Sequence, residues 1–69
     1  MQRRTVMKIK SYECHTFMAD GSICEQTPHI TANDAIIRRD AWRKIGTKAE
    51  AYEVVVDTDL CEITHIPLK

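Results

Sequence analysis

The hydrophobic pattern predicts a β-hairpin in the first half of the chain. Residues 5–18 are rich in β-branched and aromatic residues and contain neither glycine nor proline, which is typical of a strand. Their apolar positions change parity near residues 10–11, so we expect a β-bulge there. Ala-Asp-Gly-Ser at residues 19–22 separates this segment from a second β-prone run over residues 23–30. Asp-Gly between two such runs is a strong hairpin signal.

The position of this turn fixes the predicted pairing of the two strands. Facing residues follow by counting outwards from Asp20 and Gly21 as the central pair of the turn. The predicted pairs are Phe17 with Cys24, Cys14 with Thr27, and Tyr12 with His29. Pro28 has no backbone N–H to donate, so we expect the second strand to lie at an edge of the sheet.

The middle of the chain has the pattern of one helix over residues 32–45. Thr31 is suited to the N-cap, and Asp34 falls where its carboxylate meets the positive helix end. Gly46 is suited to the left-handed residue that ends a helix. An arc of about 160° on the helical wheel contains the predicted core-facing residues Ala35, Ile37, Ala41, Trp42 and Ile45. We expect this arc to pack on apolar strand residues, namely Ile9, Phe17, Val54 and Val56.

The second half of the chain predicts two more strands. Residues 51–56 read Ala-Tyr-Glu-Val-Val-Val, which favours a central strand, and residues 60–66 predict a weaker final strand. Asp57 and Asp59 indicate a turn between them. The element order is therefore β-β-α-β-β. We predict an α+β fold in which one helix packs on one face of a small antiparallel sheet, forming a single domain over residues 1–69 with residues 1–4 as a flexible tail.

Length and charge narrow the classes of function. A chain of 69 residues is one small domain whose core supplies about 3–5 kcal/mol, which disfavours a deep cavity walled by one chain. Ten basic and ten acidic residues give zero net charge, which disfavours a polybasic binder. Nine of the ten basic residues lie within residues 1–48, together with five acidic ones. Unless folding mixes the two segments, the surface is electrostatically two-sided.

The cysteines and histidines give little evidence for a disulfide framework, a metal site or a catalytic site. Three cysteines without a signal-peptide pattern disfavour a disulfide framework and favour the cytoplasm, and no apolar run is long enough to span a bilayer. The first residues to weigh for zinc are Cys14, Cys24, Cys61 and His65, but their spacing lacks the close ligand pairs of structural sites. His15 follows Cys14, and adjacent strand residues point to opposite faces, so the two cannot act as nucleophile and base. We expect no cofactor, no metal and no enzymatic activity.

The remaining class of function is binding to a macromolecule. Ile36 is an apolar residue among charged helix residues, outside the predicted core-facing arc, and arginine is enriched at interfaces. The predicted partner-binding residues are Ile36, Arg39, Asp40, Arg43 and Lys44. The uncovered face of the sheet is the next candidate surface, together with the acidic residues Glu53, Asp57, Asp59 and Glu62.

We expect the partner to be a protein or nucleoprotein complex that the chain inhibits or modulates. Small cofactor-free domains are common among inhibitors carried by phages and mobile elements, so by fold-level analogy a host defence complex is one candidate target. Direct nucleic-acid binding through the basic helix face is the alternative, and it predicts steep salt dependence. We also keep homodimerisation as a hypothesis, because self-association stabilises a protein with a small core. No membrane contact is expected.

Overall fold

The computed structural model describes residues 8–69 and forms a four-stranded antiparallel sheet with one helix. The elements are β1 (Lys8–Phe17), β2 (Ile23–His29), α1 (Ala32–Lys44), β3 (Lys48–Asp57) and β4 (Glu62–Pro67). The strand order is β2-β1-β3-β4, so β3 is an interior strand and β2 lies at an edge, as Pro28 predicted. The predicted α+β fold in β-β-α-β-β order is confirmed. The predicted tail at residues 1–4 lies outside the described residues.

The turn between β1 and β2 is one residue longer than the sequence pattern predicted. The Gly21 N–H donates to the Met18 carbonyl at 2.9 Å, and the Met18 N–H donates to the Ser22 carbonyl at 2.8 Å. Ala19 and Asp20 are therefore the central pair, and Gly21 follows them with a φ of 89°. A three-residue hairpin loop of this kind needs a left-handed residue at its last position, which glycine supplies without strain.

The longer turn changes the pairing beside the loop, and a register shift between Thr16 and Phe17 restores the predicted pairing further along. Two predicted pairs are confirmed, Tyr12 with His29 and Cys14 with Thr27. The third is wrong, because Phe17 faces Ile23 after a register shift between Thr16 and Phe17. The bulge predicted at residues 10–11 is also wrong, since β1 pairs with β3 without interruption across those residues. The register shift of the hairpin lies beside the turn, and its extra residue is on β2.

Both ends of α1 follow the sequence pattern. Thr31 is the N-cap, and its Oγ1 accepts a hydrogen bond from the Asp34 N–H at 3.1 Å. Gly46 has a φ of 87°, and the following Thr47 N–H donates to the Trp42 carbonyl at 3.0 Å. This arrangement is a Schellman motif, in which a left-handed glycine lets the chain satisfy the last helical carbonyls. The predicted cap residues are confirmed.

The predicted core-facing arc of α1 is confirmed at Ala35 but is wrong at Ile37, Ala41 and Ile45. Ala35 and Arg39 are the buried helix residues, Trp42 is half-buried, and Ile37 and Ile45 are exposed. Ile37 retains 58% of its accessible surface, whereas Arg39 retains 7%. The apolar residues of α1 are spread around its circumference, so the helical wheel did not distinguish one face from another.

The register of β1 with β3 shows why the helix takes this orientation. Residues that face each other across the pair point to the same side of the sheet. On the side covered by α1, Cys14 lies opposite Ala51 and Thr16 lies opposite Ala49. The Arg43 Nε donates to the Ala49 carbonyl at 2.9 Å, which ties α1 to this side. Small side chains let the helix approach closely, so its own buried contact residue is an alanine, Ala35.

The opposite side of the sheet has no helix against it within residues 8–69, and we call it the open face. It carries the bulky residues that we expected the helix to cover, namely Ile9, Phe17, Val54 and Val56. The predicted contact between α1 and these residues is therefore wrong. The buried apolar side chains of the described residues belong to Cys14, Ala35, Ala49, Ala51 and Val54. Val54 belongs to the open face and the other four are no larger than cysteine, so the core beneath the helix is thin.

Candidate functional site on the open sheet face

Glu13, His15 and His65 lie together near the middle of the open face. Glu13 and His15 are two residues apart on β1, so both side chains project from the same side of the strand. His65 comes from β4 and faces Val54 of β3, which separates β1 from β4. Two successive strand pairings therefore bring residues 50 positions apart in sequence into one cluster, and we call it the Glu-His-His cluster.

Short polar contacts join the three side chains. One Glu13 carboxylate oxygen, Oε1, lies 2.7 Å from Nε2 of His15 and 3.4 Å from Nε2 of His65. One ligand-type atom from each of the three residues lies within 4.8 Å of the others. His15 is buried, while 40% of the His65 side chain is exposed, so the cluster is held from below and open to solvent above.

Tyr52 forms one wall of the cluster. Its ring centroid lies 4.7 Å from that of His15 and 5.9 Å from that of His65, and the two imidazoles are 5.5 Å apart. Aromatic rings at these separations restrict one another. The three rings therefore fix the orientations of both histidines with respect to Glu13.

The electrostatics of the cluster favour a charged Glu13. The hydrogen bond with His15 lowers the pKa of the Glu13 carboxyl group, burial opposes that shift, and the hydrogen bond with His65 lowers it further. Burial raises the pKa of the Tyr52 hydroxyl, and the Glu50 charge acts in the same direction. At neutral pH the site therefore presents a carboxylate between two imidazoles, beside a neutral phenol.

Apolar side chains surround the cluster and form a shallow depression of about 550 Å³. Phe17 and Ile23 border one end of it, and Val56 and Ile63 border the other. Ile63 is 64% exposed even though it lies beside the most polar part of the face. An apolar rim around a few convergent polar groups is the usual composition of a binding surface.

The predicted partner-binding residues on α1 differ in how deeply they are buried. Arg39, which we expected to point outwards, is buried, and its Nη1 donates to the Leu68 carbonyl at 3.1 Å. Arg43 donates to the Glu50 carboxylate at 2.9 Å. Ile36 is half-buried, which also follows from the incorrect helix phase. Asp40, which accepts a hydrogen bond from the Arg39 Nε at 3.0 Å, is exposed, and so is Lys44.

The cysteines are distributed as isolated thiols. Cys14 is buried under α1, and this burial raises the pKa of its thiol. Cys24 and Cys61 are exposed. Among residues 8–69, the group of metal-ligating side chains close enough to share an ion is the Glu-His-His cluster, which contains no cysteine. Of the four residues that we weighed for zinc, His65 alone belongs to it.

The sequence contained part of the signal for this cluster. Glu13 and His15 have the two-residue spacing that places side chains on one face of a strand. His65 shares that face only through the pairing of β3 with both β1 and β4, which the local pattern did not reveal.

Comparison of the chain with protein-family models, with curated proteins and with solved structures found no match. Among residues 8–69, no helix is long and apolar enough to cross a membrane.

Proposed function

We propose that this chain is a protein-binding domain that acts through its open face, and that a second copy of the chain is the protein that packs on it. The observation that carries this proposal is the distribution of bulky apolar residues. Phe17, Val56 and Ile63 lie on the open face, whereas the buried strand residues on the helix side are alanine, cysteine and threonine. Such a face loses unfavourable contact with water when a protein surface covers it.

The small amount of apolar surface buried in the core favours a partner that is present whenever the chain folds. Apolar burial is the main favourable term in folding, and the buried apolar side chains of residues 8–69 are no larger than valine. A second copy adds burial without requiring another gene product, and it raises the stability of the folded chain through mass action.

The size of the open face supports the same occupant. Strands of six to ten residues, rising about 3.3 Å per residue and spaced about 4.8 Å apart, give a face of about 500 Å². Two apposed faces would bury about 1,000 Å² in total, which reaches the minimum area of a biological interface and lies below the roughly 1,200–2,000 Å² of stable ones. The charge at the centre of the face does not oppose apposition, because each Glu13 carboxylate already lies against two histidines.

Folding weakens the alternative of direct nucleic-acid binding. Within the predicted basic helix face, Arg39 is buried beside Asp40 and Arg43 pairs with Glu50. Arg38 and Lys44 remain exposed, so only part of that face stays accessible to phosphate groups. Lys10 lies 3.5 Å from Glu53 of the acidic half. Folding therefore mixes the basic and acidic segments, which removes the two-sided charge that favoured phosphate contacts. Inhibition of another protein complex stays a prediction.

The experiment compares two substitutions of equally exposed isoleucines. Ile63→Asp places a charge on the open face, and Ile37→Asp places the same charge on α1, where the isoleucine is 58% exposed. Sedimentation equilibrium over a concentration series measures the dimer dissociation constant of each variant. Circular dichroism confirms that both remain folded.

We expect wild type and Ile37→Asp to dimerise with the same affinity, and Ile63→Asp to dimerise at least about tenfold more weakly. Equal weakening by both substitutions would place the interface elsewhere. A wild-type chain that remains monomeric to about 100 μM would overturn the second copy as the occupant.

A further inference from the structure

We propose that the Glu-His-His cluster binds a divalent transition-metal ion of the zinc class. This proposal does not rest on the proposed dimer, because all three ligands come from one chain. It departs from our expectation of a metal-free domain, which considered the cysteines and not Glu13.

The distances within the cluster fit a metal ion. Four-coordinate Zn²⁺ takes nitrogen and oxygen ligands at about 2.0–2.2 Å, so neighbouring ligand atoms lie about 3.3 Å apart. Glu13 Oε1 lies 2.7 Å from one imidazole nitrogen and 3.4 Å from the other, and all three ligand atoms lie within 4.8 Å of one another. Shifts of about 1 Å or less at the side-chain ends would place an ion between them.

The ligand types select the class of ion. Two imidazoles and one carboxylate suit zinc and its first-row neighbours, whereas magnesium and calcium prefer sites built from oxygen ligands alone. Zinc sites with three protein ligands of this kind retain an open position for water or another molecule. In the unpaired chain, the exposure of His65 leaves that position accessible from solvent.

The strands that carry the three ligands are held rigidly by backbone pairing and side-chain packing. Glu13 and His15 are on an interior strand that pairs on both sides, and His65 is held on β4 by pairing with β3. The Tyr52 ring packs against His15, which is itself buried. Ligands on paired strands change little on metal binding, so the ordering cost is small. The ion takes the place of the hydrogen bonds that now join the carboxylate to the two Nε2 atoms.

The experiment is a calorimetric titration with Zn²⁺ alone, followed by Co²⁺ as a spectroscopic substitute. Exposed thiols also bind zinc, so the titration uses a Cys24→Ser, Cys61→Ser background. The test variants are Glu13→Gln and His65→Gln, which keep the shape of each side chain or its polarity. The matched control is His29→Gln, because His29 bonds to Thr27 on the side of the sheet away from the cluster.

We expect one Zn²⁺ per chain, with no binding of Mg²⁺ at the same concentrations. Glu13→Gln and His65→Gln should each weaken zinc binding at least about tenfold, and His29→Gln should leave it unchanged. The Co²⁺ form should show the visible absorption of a low-coordinate site, and His65→Gln should lose it.

Two results would overturn the proposal. One is the absence of stoichiometric zinc binding in the Cys24→Ser, Cys61→Ser background, which would assign any zinc in the unmodified chain to Cys24 or Cys61. The other is zinc binding that His65→Gln and His29→Gln weaken equally. Comparing the zinc stoichiometry with the oligomeric state of the same chain separates the two proposals, because zinc binding does not require dimerisation.

Discussion

Replacement of Arg39 by alanine should destabilise the chain more than any other single arginine substitution on α1. Its guanidinium group donates to the Leu68 carbonyl at 3.1 Å and to the Asp40 carboxylate at 3.0 Å, and the residue is 7% exposed. A hydrogen bond from a charged donor contributes about 1.5–3 kcal/mol. The pair with Asp40 adds at most about 1 kcal/mol, because 59% of the Asp40 side chain is exposed.

Arg39→Ala should therefore lower the free energy of unfolding by about 2–4 kcal/mol, once the lost packing of the aliphatic part of the side chain is included. The free energy of unfolding for a domain of this size is about 3–5 kcal/mol. Arg39→Ala should therefore leave the chain largely or partly unfolded at 25 °C. The adjacent Arg38 provides the control, because it is exposed and its closest aromatic contact is a 5.7 Å approach to the Trp42 ring. Arg38→Ala should cost about 1 kcal/mol or less.

Urea unfolding followed by far-ultraviolet circular dichroism measures both variants without depending on Trp42 fluorescence. A large loss for Arg39→Ala and a small loss for Arg38→Ala would support the observed helix orientation. If Arg39→Ala unfolds within about 0.5 kcal/mol of wild type, Arg39 is a surface residue and the reasoning is refuted.

Two further predictions concern single side chains. Cys14 should react with iodoacetamide far more slowly than Cys24 and Cys61 in the folded chain, and mass mapping of the labelled peptides measures this. Burial raises the pKa of the Cys14 thiol in the folded state, so the neutral thiol contributes to stability below the pKa of the unfolded thiol. That contribution is lost as the pH rises above the pKa of the unfolded thiol. Unfolding curves at increasing pH should show this decline in wild type and not in Cys14→Ala. Thr31→Ala should lower the free energy of unfolding by about 1 kcal/mol, and Thr31→Ser should restore most of it, because the hydroxyl accepts from the Asp34 N–H.

The parts of the fold that follow local rules could be predicted from the sequence. Thr31 and Gly46 bound the helix because a hydroxyl cap and a left-handed glycine are needed at those positions. The predicted pairing of Cys14 with Thr27 is observed because the register shift between Thr16 and Phe17 offsets the extra residue of the turn. The register shift itself could not be predicted, because two turns of different length fit Asp-Gly equally well.

The helix orientation and the site depend on contacts between distant residues. A helical wheel ranks residues by hydrophobicity, but α1 packs on Ala49 and Ala51, where close approach counts for more than bulk. That contact places Arg39 inward and leaves the apolar strand residues on the open face. The Glu-His-His cluster then forms through β3, which aligns His65 with the β1 residues. No local pattern specifies either arrangement.

The most direct test of the open face as the protein-binding surface is a nuclear magnetic resonance measurement on the mixed dimer. Equal amounts of ¹³C-labelled and unlabelled chain are combined, and isotope-filtered spectra record contacts between copies only. We expect such contacts from the methyl groups of Ile63 and Val56 and from the ring of Phe17. Contacts from Ile37 and Ile45 of the helix side, with none from the open face, would contradict the proposal.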